Sequence, residues 1–304
     1  MAISINFSNN QPSMKKELHA ILFLLLATLI WGFTFPLIKN AINFVAPSVF
    51  VTIRFTLAAI ILFPLVFKEL KKTSLKVLGA GIILGLLNGG IYFMQTVGVQ
   101  TISAAQAAFI TGTTVILVPF ISPVFKVGKT RLLDVTAAIL CVIGLFIFTG
   151  FAMDFRVGSV WCLLAATCAA VSVVFLQLAT KKNFTSPLAL TFYQILFTAP
   201  IPLIFSLHSN YHNIFTLHAM IGILFCAIFA TSIAILLQTK YQHFVNPTKA
   251  ALIYALEPVF AMLFAWTINQ GDITSLMIIG GTVMLLSTLL RIFAKPQHET
   301  LKQS

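Results

Sequence analysis

The sequence predicts an all-α integral membrane protein: ten transmembrane helices arranged as two inverted five-helix repeats, with both termini cytoplasmic. Three observations predict it. Ten apolar stretches succeed one another along 304 residues. Basic residues alternate in abundance between the two sides of those stretches. A shift of 143 residues lays part of the second half of the chain over the first.

The stretches run at about 18–38, 47–67, 75–98, 101–125, 131–150, 156–180, 187–206, 216–239, 248–268 and 273–293. Most are long enough to cross about 30 Å of hydrocarbon as helices. The first follows Lys15 and Lys16; residues 1–14 are polar and lack the basic flank of a signal peptide. No small-residue cleavage site follows that first run, so it is expected to remain a span. Pro47 opens span 2, which closes on Lys68, Lys71, Lys72 and Lys76. Spans 3 and 4 are joined by an uncharged segment at 99–103. Span 4 closes on Lys126, Lys129 and Arg131, where span 5 begins. Arg156 opens span 6, and Lys181 and Lys182 close it. Pro187 opens span 7. Lys240 lies between spans 8 and 9 and Lys249 at the start of span 9; Arg291 lies at the end of span 10, and Lys295 and Lys302 follow it. With the N-terminus inside, sixteen basic residues are cytoplasmic, only Lys39 and Arg156 are outside, and Arg54 is left within the membrane. That asymmetry is the positive-inside pattern. The expected organisation is a cytoplasmic tail at 1–17, repeats at 18–150 and 156–293, and a cytoplasmic tail at 294–304.

Composition agrees. With 59% hydrophobic and 9% charged residues, a soluble fold would lack polar surface to cover itself. The net charge of +12 reads as inner-loop topology signal with weak attraction to anionic lipid, rather than as a nucleic-acid footprint. Cys141, Cys162, Cys168 and Cys226 fall in apolar spans and read as small core residues. His208, His212 and His218 lie near the loop before span 8, with no carboxylate or Cys close in sequence; a solvated loop is the simpler reading over a metal site. There is no P-loop, catalytic triad or zinc helix motif, so no cofactor, metal or enzyme activity is expected.

The repeat places Tyr92–Ser122 on Ile235–Ala265 without gaps. Gln95-Thr96 meets Gln238-Thr239, Ala107-Ala108 meets Ala250-Ala251, and Ile110 meets Ile253. Pro47 and Pro187 open equivalent spans at a slightly different offset. Five spans per half is an odd number, so the second half enters the membrane upside down. Inverted repeats place a substrate site near the midplane between the halves, and rocking about it gives alternating access.

Several motifs then carry a resemblance. Span 1 contains Trp31-Gly32-Phe33-Thr34-Phe35-Pro36, span 2 contains Pro47 and Arg54, and span 9 contains Glu257-Pro258-Val259. Gly271-Asp272 follows, then Ile278-Ile279-Gly280-Gly281 in span 10. In order and spacing these resemble the drug/metabolite transporter superfamily, in particular its ten-span EamA-type exporters. The resemblance covers roughly 18–293. The chain departs from the family's Gly-Glu pairs at Gly128-Lys129 and at Asp272, both at membrane edges. The resemblance implies two four-helix walls around a central cavity, with spans 5 and 10 peripheral. It also implies export of small metabolites, often amino acids.

Arg54 and Glu257 are the two clearest charges within spans. Such charges cost about 2.5–3.5 kcal/mol on insertion scales and usually face a cavity or a partner. They lie about 10 Å and about 16 Å below the outer ends of their helices. Two readings stand: a permanent ion pair joining the halves, or Arg54 binding a substrate carboxylate and Glu257 a substrate amine. Pro258 favours the second, because its missing N–H frees the Tyr254 carbonyl, which is tolerated where it lines a cavity. Glu257 can instead carry a proton as coupling ion. Asn88, Tyr92 and Gln95 share one helical face, and Gln238 is the mate of Gln95. These amides either line the site or join helices. Trp31, Thr34, Phe35 and Tyr193 are candidate wall residues. Ala104, Ala107, Ala108, Thr111 and Gly112 are expected to permit close helix packing. Pro36, Pro119, Pro123 and Pro200 are candidate bends. The leading reading is a secondary transporter or facilitator of amino acids or related amphipathic metabolites in a bacterial-type cytoplasmic membrane. A sugar-phosphate or nucleotide-type transporter is the alternative within transport, and a membrane sensor or enzyme the alternative outside it.

Overall fold

In an apolar run with no water to satisfy its peptide groups, the chain must satisfy them internally, and helices do so. The computed structural model describes residues 14–127, 130–150, 156–180, 186–209, 211–268 and 272–294, and no strand is found among them. Gly128, Lys129, Lys181, Lys182, Gly271, Lys295 and Lys302 lie outside the described residues.

Span 1 is α1 (Met14–Ala41), span 2 is α2 (Pro47–Leu70) and span 3 is α3 (Leu75–Thr101). Span 4 is broken into α4 (Ala104–Gly112) and α5 (Thr114–Val124). Span 5 is α6 (Leu132–Phe148), and span 6 is α7 (Val157–Ala179). Span 7 divides at Pro200 into α8 (Pro187–Thr198) and α9 (Pro200–Ser206). Span 8 runs through α10 (Leu217–Phe225), a π-helical segment Cys226–Ile233, and α11 (Ala234–Tyr241). Span 9 is broken into α12 (Pro247–Tyr254) and α13 (Glu257–Thr267); span 10 is α14 (Ser275–Phe293). Among the described residues nine helical stretches are long and apolar enough to cross a membrane. The remaining span, α6, has 17 residues, at the short end of the range that spans a bilayer.

The helix starts follow from sequence. Pro47, Pro187, Pro200 and Pro247 each open a helix, where a missing N–H costs nothing. Ser74, Ser103, Asn246 and Thr274 cap backbone N–H groups at the starts of α3, α4, α12 and α14. Of the candidate bends, only Pro200 coincides with an element boundary; Pro36, Pro119 and Pro123 lie inside continuous helices. The outward faces carry large apolar side chains such as Leu22, Ile60, Leu65, Phe205 and Leu286. Contiguous apolar surface of this kind matches lipid as solvent.

The order of packing positions the cavity. Helix α1 leaves its own half and packs chiefly against spans 8 and 9, while α7 packs against spans 3 and 4. Helices α6 and α14 pack on each other to one side. Close approaches explain two glycine pairs: a Cβ on Gly158 of α7 would strike the Gly98 carbonyl of α3, and one on Gly144 would meet the Gly280 carbonyl at 2.8 Å. Buried charges are paired away from the centre. Arg291 of α14 bonds Asp134 of α6, and Lys249 Nζ lies 2.6 Å from Glu17 Oε1.

Candidate functional site

Between these elements lies a cavity of about 110 Å³. Arg54 enters it from α2, fully buried. Its Nε donates to Thr231 Oγ1 at 2.7 Å, and its guanidinium carbon lies 4.7 Å from the Tyr92 ring centroid and 5.2 Å from that of Phe55. A desolvated cation over a ring gains about 2 kcal/mol. One terminal nitrogen, Nη2, has no hydrogen-bond partner. Thr231 is supplied by the π-helical segment, which also accepts Trp31 Nε1 at Ala230 O, 2.9 Å away. Such widened turns concentrate at functional sites.

Glu257 lines the same cavity as the first residue of α13. An acid there complements the positive end of the helix dipole. Arg54 and Glu257 share the wall without an ion pair between them. The break before Glu257 follows Tyr254, and Pro258 takes a first-turn position of the new helix. The matching break in span 4 restarts at Thr114, the residue that the 143 shift places on Glu257. No proline sits there. Instead Thr113 Oγ1 donates to Ile110 O at 2.6 Å, and Thr114 Oγ1 to Thr111 O at 2.7 Å. These hydroxyls bond backbone carbonyls and bend or end a helix. Two discontinuous helices thus meet the cavity at related points, an arrangement that presents helix termini to a bound solute.

Asn88, Tyr92 and Gln95 line one side from α3, joined by Ile91. Gln95 Nε2 donates to Thr111 Oγ1 at 3.3 Å, and Ser172 Oγ to Asn88 Oδ1 at 3.4 Å. On the other side Gln238 Nε2 (3.3 Å) and the Tyr254 hydroxyl (3.0 Å) both donate to Gln242 Oε1. Gln242 is fully buried, and its own Nε2 donates to Val173 O at 2.7 Å, which fixes the amide orientation. Both Gln238 and Tyr254 therefore keep oxygen lone pairs for the cavity. The Trp31 and Tyr254 rings meet edge to face, centroids 5.5 Å apart.

Trp31, Thr34, Arg54, Asn88, Tyr92, Gln95, Gln238, Tyr254 and Glu257 thus come together on one wall system. Phe35 and Tyr193 do not. Phe35 points about one helical step away from Thr34, into a core cluster. Tyr193 packs over Gly81 of α3, while the next residue, Gln194, reaches Thr239 Oγ1 at 3.0 Å. Ala107 and Ala108 are packed core, as their small size implies, but Thr111 and Gly112 line the cavity. The Ala104 side chain lies outside the described residues. Sequence reasoning missed Gln242 and the floor from α7, formed by Ala165, Ala169, Ser172 and Val173. Gln242 was signalled by its i, i+4 spacing from Gln238; small residues on α7 carry no such signal. Near the loop before span 8, His218 stacks on Phe44, with centroids 5.6 Å apart.

A polytopic helical bundle around a cavity lined by Arg54, Glu257 and several amides has the architecture of membrane transporters. The family model described as "EamA-like transporter family" matches residues 18–150 and again 156–293, and the chain belongs to that family. An "Uncharacterized transporter" of Archaeoglobus fulgidus is 28% identical over 291 residues, covering 95% of this chain and 91% of the relative. The "Uncharacterized transporter YoaV" of Bacillus subtilis is 25% identical over 277 residues, covering 88% and 94%. A solved crystal structure shares the fold at TM-score 0.73 and 16% identity, over 90% of this chain and 96% of that one.

Proposed function

We propose that the chain is a secondary transporter that moves amino acids, or close amphipathic metabolites bearing a carboxylate and an amine, out across the cytoplasmic membrane. The observation that carries this reading is Arg54: a fully buried guanidinium on a cavity-lining residue, with Nη2 lacking a hydrogen-bond partner and no anion within ion-pair distance among the described residues. A buried charge without a counter-ion is costly, and a substrate carboxylate supplies the missing acceptor. Glu257, with the oxygens of Tyr254 and Gln238, forms an acceptor group suited to an ammonium. The rings of Trp31, Tyr92 and Tyr254 with Ala165 and Ala169 offer apolar wall. A multiply charged phosphate would need more cations than Arg54 alone. In this reading the halves are inverted, both termini are cytoplasmic, and Glu257 takes up a proton when the amine has left.

The test is counterflow in proteoliposomes with matched neutral, hydrophobic or aromatic amino acids and their amides. Arg54→Gln is expected to weaken recognition of the free acid at least about tenfold more than that of the amide, or about 1.4 kcal/mol. Equal loss for both ligands in a folded protein would make Arg54 structural. Efficient transport of sugar phosphates in place of amino acids would overturn the substrate class.

A further inference from the structure

We propose that Lys39 and Gln177 are the two gate latches of the transport cycle, one at each mouth of the cavity. The proposal rests on the alternating-access reading above. Helix α1 stands in a wall with spans 8 and 9, and α7 in a wall with spans 3 and 4. Five crossings separate the two helices, so their C-terminal ends reach opposite faces of the membrane. At the end of α1, Lys39 Nζ donates to the carbonyls of Val99 and, at 3.1 Å, Ile102. At the end of α7, Gln177 Nε2 donates to the carbonyls of Val245 at 3.1 Å and His243 at 3.4 Å. Each bond crosses from one wall to the other.

The two contacts are related by the repeat. Each donor lies two residues before the last residue of its helix, Ala41 or Ala179. The 143 shift places Ile102 on Val245. In both halves the accepting segment lies at the end of the span that carries the cavity glutamine, Gln95 or Gln238. A rocking motion that separates the walls at one mouth must therefore break the latch there, while the opposite latch acts as the pivot. Both latches are closed in this structure.

Their chemistry is unequal. Lys39 brings an ammonium to carbonyls at the negative end of the α3 dipole, a charge-assisted bond. Gln177 offers a neutral amide, and its Oε1 is buried without a partner, as is Nδ1 of His243. The Gln177 mouth is thus the weaker and opens first. Under the positive-inside orientation that mouth is cytoplasmic, which suits a carrier that loads from inside.

The experiment uses a protein with its four cysteines replaced and one reporter, Ala169→Cys, on the cavity wall. Labelling by a membrane-impermeant thiol reagent is followed in right-side-out and inside-out vesicles. Lys39→Met is expected to raise labelling from the outside at least about tenfold, and Gln177→Leu to raise it from the inside. Lys39→Arg should keep the parent pattern. If Lys39→Met does not fold, Lys39→Gln keeps an N–H donor without the charge and must shift labelling the same way with smaller amplitude. Unchanged sidedness, or a rise on the same side for both positions, overturns the latches. The readout needs no substrate, so failure of amino-acid counterflow with sidedness intact would sink the substrate class and leave the latches standing.

Discussion

Arg54 is a fully buried charge, and its surroundings show how the cost of burial is offset. Thr231 accepts from Nε, Tyr92 and Phe55 offer ring faces, and Nη2 is left without a hydrogen-bond partner. Thr231→Val keeps the shape and removes the acceptor. Leaving that buried donor unpaired should lower stability by about 1–3 kcal/mol, read as a fall in thermal unfolding temperature in detergent. Glu257 is expected to behave differently, because it forms no ion pair with Arg54. Glu257→Gln should leave unfolding temperature nearly unchanged while reducing transport at least about tenfold; normal transport in that variant would remove Glu257 from the site. At this scale the sequence was readable wherever several polar residues shared one helical face. Asn88, Tyr92 and Gln95 define a direction together, and the cavity lies there. Phe35 and Tyr193 stood alone among many aromatics, and an error of one residue turns a side chain by about 100°. Tyr193 accordingly packs on Gly81 while Gln194 faces inward.

The elements that shape the cavity are the irregular ones. Spans 4 and 9 break at related residues, and span 8 widens into a π-helical segment beside Arg54. In span 9 the sequence pointed to a freed Tyr254 carbonyl through Pro258, but not to the break itself. The span 4 break was not legible either, because threonine is tolerated inside helices and only tertiary contact decides whether it ends one. Thr114 Oγ1 also donates to Ala166 O of α7 at 3.0 Å, a contact between distant segments. Helices α6 and α14 make the complementary case, a rigid pair away from the cavity. Asp134 accepts from Arg291 and from the Arg131 backbone N–H, and both side chains are buried. Asp134→Leu alone should destabilise by about 3–5 kcal/mol, because Arg291 is left charged and buried. The double variant Asp134→Leu with Arg291→Met should recover most of that loss. Thermal unfolding of both singles and the double closes the cycle, and simple additivity would mean that the pair does not interact.

For the whole molecule, the count and order of spans were legible because lipid imposes one solution on each long apolar run. Lengths were less so: α6 is a short span, and α3 extends to Thr101, leaving only Ile102 and Ser103 between spans 3 and 4. What apolar length cannot encode is orientation, and the distribution of Lys and Arg is the term that sets it. Five spans per repeat make the halves point oppositely, so segments related by the 143 shift must emerge on opposite faces. The segment around Ser103 and that around Lys240 are such a pair, and both residues are exposed. Lys72 belongs with Lys240 on the basic side, and Asn213 with Ser103 on the other; these too are exposed. Single cysteines at the four positions, on a background lacking the native cysteines, should therefore divide two and two under an impermeant thiol reagent. Lys72→Cys and Lys240→Cys are expected to react only in inside-out vesicles, Ser103→Cys and Asn213→Cys only in intact cells. Reaction of positions 103 and 240 from the same side would make the halves parallel. Alternating access about an inverted axis would then lose its basis, and with it the opposite placement of the two latches.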